Sequence, residues 1–329
     1  MLFRSVAAGV TISSRQVAGG DHLNGLSTGN SGDLTFEARE IEIGSGAQIL
    51  AQGGNGFSGG DVSLKATDTQ TTITPLINYN DAVAKITINN ATIKGDTIDI
   101  LATAVAGRTF TDGDSALDWG IGLLNIGGGP ATLFGGGIAV AYSDAQVEVN
   151  SGSRIEGTNV KIKADAKSDA TVTLIGTEGV MIGYGETETT AKVTIDGATI
   201  KATQDVNVET FANSKTEVNV TVAHLGTRGQ APLAVTFAGA DSTTVSEAVV
   251  KGASDIQAGD DITVKADTHK YQNVNASGGA YTDGVLGIAL AMSDSESTTT
   301  ASLGGTAKAD GDIEVSAKML ADKNDVSAA

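Results

Sequence analysis

Residues Ala191-Lys-Val-Thr-Ile-Asp-Gly-Ala-Thr-Ile-Lys-Ala-Thr-Gln-Asp-Val-Asn-Val-Glu-Thr210 decide the fold. Apolar and polar positions alternate through Val193 and Ile195, break at Asp196-Gly197, resume at Ile200, break at Gln204-Asp205 and resume at Val206 and Val208. A period of two puts successive side chains on opposite faces of an extended chain, so the block reads strand, turn, short strand, turn, strand. Related blocks run Ala84–Ala104 and Ala145–Ala166, with looser ones at Ala248–Thr268 and Ala301–Lys318. Their equivalent positions Ile93, Ile155, Ile200, Ile256 and Ala307 lie 45 to 62 residues apart. No comparable stretch carries the helical period.

Two further features recur between blocks. A polar run precedes the next block, as in Glu186-Thr-Glu-Thr-Thr190, Asp241-Ser-Thr-Thr244 and Ser293-Asp-Ser-Glu-Ser-Thr-Thr-Thr300. A Gly-apolar element comes before that, as in Gly120-Ile-Gly-Leu-Leu124, Gly179-Val-Met-Ile-Gly183, Leu233-Ala-Val-Thr-Phe-Ala-Gly239 and Gly284-Val-Leu-Gly-Ile-Ala-Leu290. A unit of about fifty residues then reads as two coils of roughly 20 to 25 residues, with the Gly-apolar elements as short excursions between coils. Coils stack as parallel strands at about 4.8 Å, so about fourteen coils predict a rod of roughly 65 to 70 Å, apolar inside and Thr, Lys, Asp and Glu outside.

Composition agrees with a folded all-β body. Forty-three Gly against three Pro exclude collagen and Pro-rich linker, and 40% apolar residues are too many for a disordered chain. Thirteen aromatic residues are few, so small and β-branched side chains must fill the core. A net charge of −18 with scattered Lys and Arg gives no footprint for nucleic acid or anionic membrane. The absence of Cys excludes disulfide, iron–sulfur and thiol chemistry and is compatible with an oxidising exterior. Trp119–Ala141 is uncharged, but its many Gly and Pro130 predict two short strands, Gly120–Ile126 and Thr132–Ala141, rather than a membrane span.

The expected organisation is one continuous solenoid. Residues 1–5, Met-Leu-Phe-Arg-Ser, read as a non-native start that resembles a translated sequencing adapter; 6–80 form a region of single coils; 81–329 carry the two-coil repeats and stop partway through the pattern. Gly59-Gly-Asp-Val-Ser-Leu-Lys-Ala66 and Thr189-Thr-Ala-Lys-Val-Thr-Ile-Asp-Gly-Ala-Thr-Ile200 resemble the repeats of filamentous haemagglutinin-like and giant repetitive bacterial adhesins. The resemblance covers most of positions 20 to 329. It implies a right-handed parallel β-helix serving as a surface stalk or adhesive shaft.

Catalytic chemistry has little to work with. His22, His224 and His269 stand in unrelated contexts, and no Gly-x-Ser-x-Gly elbow occurs. Asp112, Asp114 and Asp118 begin like a calcium loop, but Ala116 occupies a ligand position, and Ser58 breaks the calcium nonapeptide pattern in Gly53–Asp61. The sequence therefore assigns no catalytic, cofactor-binding or metal-ligating residue, calcium being the one ion its turn carboxylates suit. A β-helix polysaccharide lyase or epimerase is the alternative. It needs carboxylates, a basic residue and usually aromatic platforms on one outer face, where aromatics are expected to be scarce. Thr71, Thr72, Thr74, Thr171, Thr173 and Thr298 to Thr300 form no even lattice for ice or a mineral surface. The reading is a non-catalytic, extracellular shaft segment. Its expected partners are flanking coils of the same parent chain and glycans or proteins of host or neighbouring cells, with no nucleic acid and no membrane insertion.

Overall fold

The computed structural model describes residues 5–14, 31–53, 59–72, 78–112, 134–176, 179–224, 233–280 and 286–329, and its regular elements are all β-strands. Strands follow one another in triplets, here called layers. Layer 1 is β1 (Ser5–Val6), β2 (Thr11–Ser13) and β3 (Leu34–Ala38); layer 2 is β4 (Glu40–Ile43), β5 (Gln48–Leu50) and β6 (Val62–Thr72). Layer 3 is β7 (Asn78–Ile88), β8 (Thr92–Lys94) and β9 (Thr97–Asp112); layer 4 is β10 (Phe134–Val149), β11 (Arg154–Gly157) and β12 (Asn159–Gly176). Layer 5 is β13 (Gly179–Ile195), β14 (Thr199–Ala202) and β15 (Val206–His224); layer 6 is β16 (Leu233–Val250), β17 (Asp255–Ala258) and β18 (Ile262–Ala280). Layer 7 is β19 (Leu286–Leu303), β20 (Thr306–Ala309) and β21 (Ile313–Ala328).

The first strands of all layers pair into sheet 1, the second into sheet 2 and the third into sheet 3, seven strands each. All pairings are parallel, and the register is unbroken except for one shift between Thr268 and His269. The repeat positions read from sequence, Ile93, Ile155, Ile200, Ile256 and Ala307, fall in one ladder of sheet 2, which the structure extends to Ile12 and Ile49. Ile49 to Ile256 in that ladder are fully buried. Sheet 3 adds the matching ladder Ile100, Ile162, Val208 and Val264 and sheet 1 the ladder Ile86, Val147, Val193 and Ala248, so the alternation puts aliphatic side chains inside one shared core.

Two corners are built by stacked local chemistry. Between sheets 1 and 2 the chain passes through a left-handed residue at Gly9, Gly46, Asn90, Gly152, Gly197 and Gly305, a conformation that favours Gly and tolerates Asn. Between sheets 2 and 3, side-chain oxygens of Asp33, Asp61, Asp205 and Asp261 accept the backbone N–H of Asp61, Thr97, Asp261 and Asp312 in the next layer, at 2.7 to 3.2 Å. Asn159 does the same for Asp205 at 3.5 Å.

The structure corrects the expected two coils per unit. Each unit makes one wide layer, and seven layers span about 29 Å at the usual strand spacing rather than the expected rod length. In layers 5 and 6 the polar run and the Gly-apolar element are the first half of the sheet 1 strand; Gly179–Ile195 is uninterrupted. Gly183 and Gly185 within it are packing positions, not turns. A Cβ on Gly183 would come within 2.6 Å of Val220 Cγ2, and one on Gly185 within 2.8 Å of Val218 Cγ2. Sheets 1 and 3 approach closely there because those side chains are missing. The layers also widen along the chain, from a 5-residue β3 to a 19-residue β18.

Candidate functional site

The inward alternation continues into the wide half of the layers, but its chemistry changes. Ser143, Thr187, Ser242 and Ser246 of sheet 1 face Ser168, Ser214, Thr216 and Thr210 of sheet 3, all buried. Ser143 bonds Ser168 at 2.8 Å, Thr187 touches Ser214, Thr216 and Ser242 at 2.7 to 3.1 Å, and Thr210 meets Ser246 at 2.9 Å. Alternate residues of the polar runs are thus interior. Thr189, Thr244 and Ser297 occupy one ladder beside this net, and their buried hydroxyls meet no partner.

The residues weighed in the sequence are not brought together. His22 lies outside the described residues, His224 ends β15 and His269 lies mid-strand in β18 beside Asn213. Asp112 ends β9, while Asp114, Asp118 and Gly54–Ser58 lie outside the described residues, as do Gly120–Ile126 and Thr74. Asp61, the last residue of the nonapeptide-like stretch, is a rung of the corner ladder. One group of carboxylates does converge: Asp205, Asp260 and Asp261 bring one oxygen each within 4.8 Å of one another. Asp205 Oδ1 and Asp261 Oδ1 are already acceptors for backbone N–H groups, so the group is explained as part of that ladder.

The outward face of sheet 1 is different from what the sequence led us to expect. Parallel register stacks its side chains in columns across layers 4 to 7. One column holds Ile182, Phe237 and Leu290; the next holds Ile138, Tyr184, Gly239 and Met292. Ile182, Leu290 and Met292 are 52%, 49% and 72% exposed. Two residues further along the strands come Val140, Glu186, Asp241 and Asp294, then Tyr142, Glu188, Thr243 and Glu296. An apolar stripe therefore lies beside an acidic stripe, both perpendicular to the strands.

Tyrosines join the stripes. Tyr79 packs edge-on to Tyr142, ring centroids 5.1 Å apart and planes at 86°. Tyr142 and Tyr184 both donate to Glu186, the second at 3.2 Å, and Tyr79 donates to Asp81 at 3.0 Å. Burial, followed by the Glu186 charge, pushes the Tyr184 phenol up to about 12; burial and the same carboxylate also raise Tyr142. All three phenols stay protonated near neutrality and serve as donors. Burial raises the Asp241 carboxyl, and Asp294 and Glu186 raise it further.

No ion pair among the described residues involves Glu186, Glu188, Asp241, Asp294 or Glu296. The outward face of sheet 3 is the opposite: Lys161 meets Glu209, Lys163 meets Asp165, Lys215 meets Glu217, Lys265 meets Asp267 and Lys323 meets Asp325, at 2.6 to 3.6 Å. The sequence reading missed the stripes because their members sit some fifty residues apart. The available signal was the acid that opens or nearly opens each polar run, at Glu186, Asp241 and Asp294.

The far edge of layer 7 is a second apolar surface. No described strand pairs with the far edge of layer 7, so the inward residues Ile313, Val315 and Val326 are 48%, 44% and 46% exposed, while Ile262, Val264 and Val274 below them are buried. The chain matches no family model, no curated protein and no solved structure. No helix among the described residues is long and apolar enough to cross a membrane.

Proposed function

We propose that the chain is a structural shaft segment of a large secreted or surface-attached bacterial adhesin of the filamentous haemagglutinin-like kind, closing as a right-handed parallel β-helix. It acts mechanically, without catalysis, outside the cell. The observation that carries this reading is the in-register parallel stacking of all three sheets through the seven described layers. Such stacking is how solenoids extend and how an axial stack transmits load through nearest-neighbour layers. Flanking coils of the parent chain are thus its axial partners, and its broad outer sheets are surfaces on which proteins or glycans of other cells are held.

The competing reading is a polysaccharide lyase or epimerase. Incubating the purified chain with acidic polysaccharides and following unsaturated sugar release by ultraviolet absorbance separates the two. The shaft reading expects no release above buffer together with a strand-rich circular dichroism spectrum; turnover abolished by substitutions on one outer face would overturn it.

A further inference from the structure

The uncovered end of layer 7 is already accounted for by flanking coils, and the Asp205, Asp260 and Asp261 group by the corner ladder. The striped outer face of sheet 1 has no such explanation. We propose that this face docks a basic, amphipathic peptide segment of a partner protein, its apolar residues on the Ile182–Phe237–Leu290 column and its Lys or Arg side chains over the Glu186–Asp241–Asp294 column. The proposal deepens the shaft reading by naming what one of its presented surfaces holds.

Four features specify that chemistry. The apolar column is solvent-facing in three consecutive layers, whereas exposed apolar side chains on a soluble protein are usually scattered. Tyr184 lies against Gly239, with only 3.2 Å between its Cδ2 and the place a Gly239 Cβ would take, so the surface there is filled by a ring from the neighbouring layer. The acidic columns hold no Lys or Arg, and Lys85 and Lys192 further along the same face are engaged by Glu148 and Glu247 at 2.9 and 3.3 Å. Stacked like charges one strand apart repel, and a bound cation relieves what the chain itself leaves unrelieved.

The dimensions also fit. Layers 4 to 7 span about 14 Å along the stacking axis, the length of roughly nine or ten helical residues. The apolar and acidic columns lie about 13 Å apart, four residues along the strands, comparable to a helix diameter. Phenols hydrogen-bonded to Glu186 hold its carboxylate in place without neutralising it. Charge complementarity then sets register and on-rate, and apolar burial supplies affinity.

Isothermal titration of the full chain with a synthetic 14-residue Leu/Lys amphipathic helix, with oligolysine of equal charge and with calcium alone tests this. The helical peptide should bind at least about tenfold tighter than oligolysine, because only it covers the apolar column. The combined variant Glu186→Gln, Asp241→Asn, Asp294→Asn should weaken it about tenfold or more, and Ile182→Ser with Phe237→Ser likewise. Removing three carboxylates from sheet 3 (Asp165→Asn, Glu209→Gln, Glu217→Gln) should change it less than about twofold. These substitutions are all at outward positions, and thermal melts of each variant establish that the fold persists. Equal loss from the sheet 3 variant, equal affinity for oligolysine, or peptide binding abolished by stoichiometric calcium would overturn the docking site. A folded chain that neither binds the peptide nor turns over glycans also overturns it, while leaving the shaft reading intact.

Discussion

Around sheet 2 and the adjoining ends of sheets 1 and 3 the interior is aliphatic, with Ile155, Ile162, Val193 and Ile200 fully buried. A few residues further along the same strands it becomes a net of hydroxyls around Thr187, Ser214 and Ser242. Alternation, register and facing sheets are common to both regions; only the inward side chains differ. The aliphatic region is held by removal of apolar area from water, which is insensitive to direction. The hydroxyl region is held by donors meeting acceptors across the gap, where each unmatched group is a liability.

The largest expected effect is a charge in the aliphatic region. Ile162→Lys or Ile200→Asp should cost several kcal/mol, about 3 to 5 or more, enough to abolish a cooperative thermal melt. Its outward neighbour Lys161, paired with Glu209 at 3.6 Å and half exposed, should tolerate Thr with a loss under about 0.5 kcal/mol. Similar losses at 161 and 162 would break the assignment of faces. In the hydroxyl region, Thr187→Val keeps shape and removes a group with three neighbours, and should destabilise by about 1 to 3 kcal/mol in denaturant titrations.

Thr244→Val sharpens the contrast. Its hydroxyl is buried without a partner, so the methyl should be neutral within about 0.5 kcal/mol or stabilising. A loss equal to that of Thr187→Val would show that the two hydroxyls are held alike. The smallest effect is on pH dependence. Asp241 binds its proton more firmly folded than unfolded, through burial, Asp294 and Glu186. The folded state then carries the extra proton between the ordinary carboxylate value and the raised one, so stability falls as pH rises through that window. Asp241→Asn should flatten this part of the melting-temperature profile; an unchanged slope would remove Asp241 as its source.

Much of the core was legible in advance. Ile93, Ile155, Ile200 and Ile256 stand in similar local strings, and parallel pairing sets them in one ladder. The corner residues Gly152, Gly197 and Asp205 sit at breaks in the alternation. The candidate surface was not legible. Ile182 and Phe237 fall inside elements whose Gly content resembles turn punctuation, and Tyr184 directly follows one; only the parallel register stacks them outward. Nor does a Ser or Thr declare its side: Thr187 and Glu188 are both polar, yet one is buried and the other faces out beside Tyr142.

The sequence by itself determined that the chain forms strands, where its narrow corners fall, and which aliphatic residues recur in step, because period-two patterning and turn residues are local properties of the backbone. Only the tertiary structure decided that a unit makes one broad layer instead of two, that alternate hydroxyls of the polar runs lie inside, and that apolar and acidic residues from successive layers line up on the outside of sheet 1. Those outcomes depend on which sheet stands opposite and on parallel register between segments some fifty residues apart, and no local pattern encodes either.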